Sequence, residues 1–506
     1  FIASLGSSRS PRMRDVLGTI QADQDAIIRA GARGALVVDG GPGTGKTVVA
    51  LHRTAYLLYS DPRLSQSRSG VLFVGPSQGY LAYVDDVLPS LGEEGVHTCT
   101  LRDLVTEGAA AIEDTPDAAR LKSSAAHVRA VETAVRVFDL PPTRTVTVET
   151  AWADIRITPA DWAEAFEAAD AGTPHNEARE EVWDALLDIL LDQLGEERAE
   201  ESADFDAYGL SRDREDGLRE GLADDPELAA AFARAWPLLE AADVVARLWT
   251  DRSFLRRCAP WLGPDDVEAL QRSDARAWTV SDLPLLDAAG LLLGDPEASR
   301  RRQQQKAATA AERRRMSDVV DDLIASDDSD LKIMSMLRGQ DLRSTLVDEA
   351  ALPSIDSDVL AGPFAHIVVD EAQELTDAEW QMLLARCPSR SFTIVGDRAQ
   401  ARHGFTESWR ERLERVGLTQ VSLSSLSINY RTPEEVMAEA EPVIRAVLPD
   451  ANVPTSIRSS GVPVLRGAAE ELPAILDAWL AAHDEGIACE IGEPALPSGP
   501  RVQSIA

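Results

Sequence analysis

Short apolar runs alternate with longer amphipathic stretches along the first hundred residues, and glycine-containing turns separate them. Apolar runs of four or five residues are typical of buried parallel strands, and stretches of nine or more residues without glycine or proline are typical of the helices that join them. The pattern therefore predicts a parallel α/β arrangement. Strands are predicted at residues 35–39, 70–74 and 96–100, and helices at residues 19–30 (with Thr19 as N-cap), 48–59, 80–88 and from residue 101 onward.

The middle of the chain, residues 106–362, has a mainly helical pattern. Its longest amphipathic runs are residues 177–194 and 227–249, and it contains seven of the ten tryptophans. Large side chains at helical spacing predict that this segment has its own core, whereas a tryptophan-lined binding face is the less favoured alternative.

The strand pattern returns after residue 362. Strands are predicted at residues 366–369, 391–395, 462–465 and 486–489, a helix at residues 469–483, and a coil from there to residue 506. Because Pro463 cannot donate to a sheet, the strand at 462–465 is expected at a sheet edge.

The turn after the first predicted strand carries a phosphate-binding sequence. Residues 40–47 fit the pattern G-x-x-x-x-G-K-[ST] at every fixed position. In this pattern the backbone N–H groups cradle a polyphosphate, the lysine reaches its β- and γ-phosphates, and the final hydroxyl holds Mg²⁺. A glycine-rich turn that matches by chance is the alternative, and the flanking strand and helix argue against it. The predicted nucleotide-binding residues are Gly41, Pro42, Gly43, Thr44, Gly45, Lys46 and Thr47.

Two acidic residues follow the predicted strand at 366–369. Asp370 is predicted to hold Mg²⁺ together with Thr47, and Glu371 is predicted to act as the general base that activates water. The alternative is an acidic cap on the next helix. A phosphate-binding loop in the same chain favours the catalytic interpretation.

Two further polar positions are candidates for contact with the γ-phosphate. Gln400 follows the predicted strand at 391–395 and could orient water. Arg431 lies beside Tyr430, and such a pair can provide a phosphate contact and a stacking surface together. Taken alone, Arg431 is better explained as a surface residue before a helix that Thr432 caps and Pro433 begins.

The net charge of −35 changes the expected partner. Residues 106–362 alone hold 54 acidic and 28 basic residues. Proteins that grip nucleic acid by its phosphates carry basic surfaces, so this chain would on average repel DNA. The charge indicates either a requirement for solubility or a partner with a basic surface.

Two charged segments lie near the end of the helical region. Arginine triplets at 300–302 and 313–315 flank a Gln/Ala-rich helix, which favours a solvated face over a phosphate-binding patch. An acidic run at 317–330 opens a segment, about 317–358, that is predicted to be a flexible acidic loop. It lacks the glycine and the distal glutamate of a calcium-binding loop.

The four cysteines are scattered, without a C-x-x-C pair, and are predicted to be buried thiols. No apolar run approaches membrane-spanning length, and the N-terminus has no signal-peptide pattern. Both features predict a protein of the reducing cytoplasm.

Six motifs occur in order along the chain: Gln24, residues 40–47, 75–77, 370–373 and 396–400, and Asn429-Tyr430-Arg431. With these motifs the chain resembles superfamily 1 helicases of the UvrD/Rep type. Across its whole length it is most similar to the HelD family of helicase-like factors that bind bacterial RNA polymerase, including at residues 19–21, 87–93 and 278–287. The resemblance implies that Gln24 reads the adenine edge, Tyr430 stacks on the adenine and Arg431 touches the γ-phosphate.

The sequence departs from that family in three respects. Val48 stands where UvrD-type helicases have an arginine after the Lys-Thr pair. No late helicase motif with its second arginine is recognisable, and no coiled-coil arm precedes Phe1. We therefore expect both ends to be incomplete, and ATP binding to be better preserved than ATP hydrolysis.

The resemblance implies an α/β fold with a RecA-like P-loop NTPase core, a large helical insertion and the start of a second RecA-like domain. The expected function is an ATP- and Mg²⁺-dependent ATPase that binds bacterial RNA polymerase and releases it from nucleic acid. The alternatives are a genuine 3′–5′ DNA helicase or translocase, and a scaffold that binds polymerase without ATPase activity. The expected domains are residues 1–105 and 363–415 (first core domain), 106–362 (polymerase-contacting acidic insertion) and 416–506 (second core domain, incomplete).

Overall fold

The computed structural model describes residues 22–61, 64, 70–88, 95–150, 154–201, 212–297, 359–483, 485–491 and 499–505. Five of the predicted features lie outside these residues: the Thr19 cap, the two arginine triplets, the acidic loop and Trp152.

Six parallel strands form the central sheet. The strands are β1 (Ala35–Gly40), β2 (Val71–Val74), β3 (Val96–Cys99), β6 (His366–Val369), β7 (Phe392–Gly396) and β8 (Val421–Leu426). Their order across the sheet is β3-β2-β6-β7-β1-β8. Four of them are buried along their whole length, which explains why they were visible as unbroken apolar runs. Neighbours β2 and β6 are far apart in sequence but pair in register, Val71 with His366 and Val74 with Val369.

Seventeen α-helices occur in the described residues. They are α1 (Ala22–Ile28), α2 (Lys46–Ser60), α3 (Gln78–Val87), α4 (Pro116–Lys122), α5 (Ala125–Arg136), α6 (Pro159–Glu167), α7 (His175–Glu201), α8 (Arg212–Ala223), α9 (Pro226–Ala235), α10 (Ala241–Thr250), α11 (Arg252–Cys258), α12 (Pro264–Leu270), α13 (Leu283–Leu293), α14 (Asp377–Arg386), α15 (Trp409–Val416), α16 (Glu434–Val447) and α17 (Leu472–Ala482).

The predicted α/β alternation of the first hundred residues is confirmed, with one correction. The strands and helices lie within a few residues of the expected positions. The helix expected from residue 101 is wrong, because two short 3₁₀ turns, Leu101–Leu104 and Thr106–Ala109, stand there instead. A residue other than glycine at position 108 would place its Cβ 1.9 Å from the carbonyl oxygen of Arg102. This tight double turn therefore requires glycine.

The helical region has two apolar cores of its own, as its tryptophans predicted. One core gathers around Trp249 on α10, and the other contains Trp162 on α6 and Trp236. All three side chains are buried, whereas Trp261 is 48% exposed.

Two features of this region were not predicted. The run 227–249 is two helices, α9 and α10, because α9 ends at Ala235 and Pro237 cannot continue a helix. An antiparallel hairpin of β4 (Val146–Glu149) and β5 (Asp154–Ile157) precedes α6. Buried and exposed residues alternate along its strands. The strands are too short to be recognised among helical patterns.

The chain divides into two compact units by the density of its contacts. Unit 1 comprises Phe1–Val38 and Thr47–Ser424, and unit 2 comprises Asp39–Lys46 and Ser425–Ala506. Unit 2 contains α16, α17 and two parallel strand pairs. The pairs are β9 (Ile428–Asn429) with β10 (Thr455–Ser456), and β11 (Ala488–Ile491) with β12 (Val502–Ile505).

Three expectations about unit 2 are wrong. Residues 462–465 form no strand and are exposed, because Pro463 removes one donor from an already short run. The coil expected at the end of the chain contains β12. Thr432 does not cap α16; its N–H donates to the Asn429 side chain, and Pro433 occupies the cap position.

Among the described residues, none of the helices is both long and apolar enough to cross a membrane.

Candidate functional site

The predicted phosphate-binding loop forms a tight turn between β1 and α2. Gly43 and Gly45 have positive φ angles of 73° and 84°, which side chains other than glycine rarely adopt. The Thr44 hydroxyl donates to the carbonyl oxygen of Gly41 at 2.9 Å. Lys46 is 8% exposed, and its ammonium donates to the carbonyl oxygens of Gly40 (2.7 Å) and Gly41 (3.3 Å). The ammonium group of Lys46 therefore lies against the phosphate-binding loop, as the sequence motif predicts.

Two of these glycines are closely approached by other residues of their own unit, unit 2. A Cβ on Gly41 would lie 2.4 Å from the Pro454 ring, and a Cβ on Gly43 would lie 2.2 Å from the Asn429 side-chain oxygen. Pro42 lies between them in the turn. The glycines are thus required by the close approach of neighbouring atoms as well as by their φ angles.

The segment Asn429-Tyr430-Arg431 contacts the loop through its backbone. The Tyr430 N–H donates to the carbonyl oxygen of Gly43 at 3.0 Å. Asn429 is fully buried, and its Oδ1 accepts from the N–H groups of Arg431 (3.0 Å) and Thr432 (2.9 Å). The Arg431 side chain is exposed. The structure therefore brings two of the predicted ligand-binding residues, Tyr430 and Arg431, to the phosphate-binding loop.

In unit 1, Thr47 and Asp370 meet, although 323 residues separate them in the sequence. The Thr47 hydroxyl donates to Asp370 Oδ2 at 2.7 Å. The Tyr80 hydroxyl, from α3, donates to the same carboxylate oxygen. Asp370 Oδ1 accepts from the N–H of Glu371 at 2.9 Å. The position of Asp370 follows from β6 pairing beside β2, which places its carboxylate at the same sheet edge as the starts of α2 and α3.

Burial dominates the electrostatics of this carboxylate. Asp370 is 2% exposed, and burial raises the pKa of its carboxyl while the hydrogen bonds from Tyr80 and Thr47 oppose that shift. Burial, together with the neighbouring Asp370 carboxylate, also raises the pKa of the Tyr80 phenol. Tyr80 therefore remains a hydroxyl donor.

The oxygens at this point fit a magnesium ion. A hydroxyl and a carboxylate within 2.7 Å of each other are the hard donors that Mg²⁺ takes when substrate phosphates and water complete its shell. The described ranges contain no group of three or more His, Cys, Asp or Glu side chains that could hold a metal ion. Thr47 and Asp370 are therefore the residues that would hold Mg²⁺.

Glu371 has an unusual backbone conformation. Its φ and ψ angles, 54° and 37°, lie in the left-handed region, where a residue other than glycine is strained. Its carboxylate Oε2 accepts from Gln373 Nε2 at 2.6 Å. Gln373 is 4% exposed, and its Oε1 accepts from the N–H of Asp397 at 3.0 Å. The predicted base is thus held by a residue for which the sequence predicted no role.

Gln400 joins the same group indirectly. Its Nε2 donates to Asp397 Oδ2 at 2.5 Å, and its side chain is exposed. Asp397 in turn caps the short 3₁₀ turn Arg398–Gln400. Glu371 and Gln400 are therefore connected through Gln373 and Asp397.

Gln24 lies on α1 instead of at the strand ends, and it is 1% exposed. The helix that carries it is tied to α2 by Arg53, whose guanidinium is fully buried. Arg53 donates to the carbonyl oxygens of Ile27 (3.0 Å), Ala30 (2.6 Å) and Gly31 (2.9 Å) at the end of α1, and to the Thr393 hydroxyl at 2.8 Å. Burial lowers the pKa of Arg53 to about 10, so it stays charged at neutral pH.

The structure thus brings the predicted residues together in separate groups. Unit 2 joins the loop with Tyr430 and Arg431, and unit 1 joins Thr47, Asp370, Glu371 and Gln400. Three residues that contact members of these groups were given no role by the sequence. They are Tyr80, Gln373 and Asn429.

Compared with known proteins, the chain matches no protein-family model and no curated protein.

Proposed function

We propose that this protein is an ATPase with a RecA-like core that uses ATP and Mg²⁺. The observation that carries the proposal is the 2.7 Å hydrogen bond between Thr47 and Asp370. A phosphate-loop hydroxyl and an acidic residue after a parallel strand are the pair that holds Mg²⁺ in P-loop NTPases. Finding them in contact across 323 residues is not expected of a glycine-rich turn that matches the pattern by chance.

The residues have distinct roles in this proposal. Lys46 and the backbone N–H groups of the loop bind the β- and γ-phosphates. Glu371 accepts the proton of the water that attacks the γ-phosphorus. ADP leaves as the bond between the γ-phosphorus and the β–γ bridging oxygen breaks. Bound Mg²⁺ would neutralise charge on the phosphate oxygens. Gln400 orients the water, Arg431 contacts the γ-phosphate, and Gln24 and Tyr430 recognise the adenine.

The ATPase is further proposed to act on bacterial RNA polymerase, as a factor that releases polymerase from nucleic acid. The resemblance of the whole chain to HelD supports this partner. So does the net charge of −35, because a strongly acidic protein favours a basic protein surface over a nucleic-acid backbone.

Nucleotide binding and turnover test the first part of the proposal. Lys46→Ala should weaken ATP binding, whereas Glu371→Gln should bind ATP as the wild type does and lose hydrolysis. Thr47→Ser keeps the hydroxyl and should retain Mg²⁺-dependent ATP binding, whereas Thr47→Val should lose the Mg²⁺ dependence. Unchanged ATP binding and turnover in Lys46→Ala, Glu371→Gln and Thr47→Val would remove the site assignment.

The partner is tested with purified bacterial core RNA polymerase. The protein should co-purify with polymerase at moderate salt and accelerate its release from a DNA template in the presence of ATP. Absence of binding would reject the polymerase assignment. ATP-dependent strand separation without polymerase would favour the helicase alternative, and polymerase binding without measurable ATP turnover would favour the scaffold.

A further inference from the structure

The short turn after β6 places a buried glutamine against the proposed general base. Gln373 lies in the 3₁₀ turn Ala372–Glu374, and only 4% of its surface is exposed. One side of its amide faces the Glu371 carboxylate and the other faces the backbone of the turn after β7.

The two hydrogen bonds fix which way the amide faces. The N–H of Asp397 can only donate, so the amide oxygen Oε1 must face it, at 3.0 Å. Nε2 is then left to donate to Glu371 Oε2, at 2.6 Å. A carboxylate accepts and does not donate, so the opposite orientation would break both bonds. Gln373 therefore presents a neutral N–H donor to the Glu371 side chain.

The backbone around Glu371 adds to this constraint. With φ at 54°, Glu371 holds a strained conformation, and its N–H donates to Asp370 Oδ1 at 2.9 Å. Within the described part of the chain, the other carboxylate oxygen, Oε1, has no hydrogen-bond partner. One oxygen is thus fixed by Gln373, and the other is available to a water molecule.

The far side of Gln373 is equally confined. A Cβ on Gly396 would lie 2.8 Å from Gln373 Oε1 and 2.7 Å from the Trp409 ring, so β7 must end in glycine to admit the amide. The next residue, Asp397, also accepts from Gln400 Nε2 at 2.5 Å. A continuous set of hydrogen bonds therefore runs from Glu371 through Gln373 and Asp397 to Gln400.

We infer that Gln373 is the positioning residue of the proposed ATPase: it orients the Glu371 carboxylate toward water and ties it to the turn that carries Gln400. This inference rests on the proposed function, because it requires Glu371 to be the general base. Misplacing a catalytic group by about 1 Å reduces a rate by about 100-fold. Loss of the Gln373 contact should therefore lower kcat and leave ATP affinity unchanged.

Two substitutions separate the two sides of the amide. Gln373→Met has a similar length and removes both hydrogen bonds. Gln373→Glu keeps an acceptor for the Asp397 N–H but replaces the donor to Glu371 with a second negative charge. If the donor to Glu371 is what matters, both variants should lose between about 10- and 100-fold in kcat. Gln381→Met is the matched control, since Gln381 Nε2 donates to the carbonyl oxygen of Val416 away from this turn.

The experiment measures single-turnover ATP hydrolysis, the dissociation constant of a fluorescent ATP analogue, and the melting temperature of each variant. The inference requires slow hydrolysis with unchanged affinity in Gln373→Met and Gln373→Glu, and wild-type values for all three measurements in Gln381→Met. It is overturned if hydrolysis is unchanged, or if affinity and melting temperature fall together with it. A wild-type protein that binds no ATP would instead overturn the proposed function, and this inference with it.

Discussion

A buried ion pair attaches the helical insertion to the sheet region, and its removal gives the sharpest test of how unit 1 is held together. Arg386, at the end of α14, and Asp287, on α13, are 4% and 5% exposed. The guanidinium contacts the carboxylate with two nitrogens, at 2.8 and 2.6 Å. It also donates to three carbonyl oxygens, those of Leu360 (2.9 Å), Met382 (3.0 Å) and Leu104 (3.4 Å). All five N–H donors of Arg386 are therefore used.

Removing one partner leaves the other charge buried without compensation, which destabilises a protein by about 3–5 kcal/mol. We expect that loss in both Asp287→Leu and Arg386→Met. The double variant removes both charges and leaves only the carbonyl oxygens without a donor, so its loss should be about 1–3 kcal/mol. The two single effects should thus be strongly non-additive, with a coupling energy of more than about 3 kcal/mol.

Urea unfolding followed by tryptophan fluorescence measures these free energies, because the buried tryptophans of the helical insertion lie in unit 1. The control is Arg252→Met, which breaks an exposed pair with Glu268 (57% and 64% exposed) and should change the free energy of unfolding by less than about 1 kcal/mol. Single variants within about 1 kcal/mol of the wild type, or a double variant equal to the sum of the two, would refute this account of the pair.

Three further predictions concern other parts of the chain. Burial lowers the pKa of His52 to about 4, so the unfolded chain binds a proton there below about pH 6.5 while the folded chain does not. Stability should therefore fall by up to about 1.4 kcal/mol per pH unit between pH 6.5 and 4, and urea unfolding across this range should give a flatter dependence for His52→Leu. Gly43→Ala should abolish ATP binding in an equilibrium titration, because its Cβ would clash with Asn429 and its φ is positive. Glu371→Gly should raise the melting temperature while hydrolysis is lost, because glycine relieves about 1 kcal/mol or more of strain.

The parallel sheet was predictable because strands buried on both faces leave an unbroken apolar signal. Residues 35–39 and 366–369 are such runs, and both are strands in the structure. The predictions of secondary structure failed where a strand was short or where one helical pattern continued across two helices. The hairpin of β4 and β5 has four residues in each strand. The run 227–249 kept a helical period across Pro237, although the helix does not continue through it.

The candidate residues Lys46, Thr47 and Asp370 could be identified from the sequence because each belongs to a short motif of adjacent residues. The residues that support these groups were not predictable, because each depends on which strands are neighbours. Gln373 reaches Asp397 only because β6 pairs with β7. Tyr80 reaches Asp370, which lies 290 residues away in the sequence, because β2 pairs with β6. Such pairings between distant strands cannot be inferred from the local patterns of one sequence.

The position of the helical insertion bears on how ATP turnover could act on a partner. The turn that holds Glu371 and Gln373 leads directly into α14, whose first turn is capped by Thr376. The N–H of Ala378, on α14, donates to the carbonyl oxygen of Ser123 in the insertion, and Arg386, at its other end, binds Asp287 on α13. Both ends of one helix thus contact the insertion, and the same helix begins six residues after the proposed base. A displacement of that turn during hydrolysis would therefore have to move α14 against the insertion or break these contacts. In the proposed ATPase, this direct attachment favours action on a partner through the acidic insertion over action through a separate nucleic-acid groove.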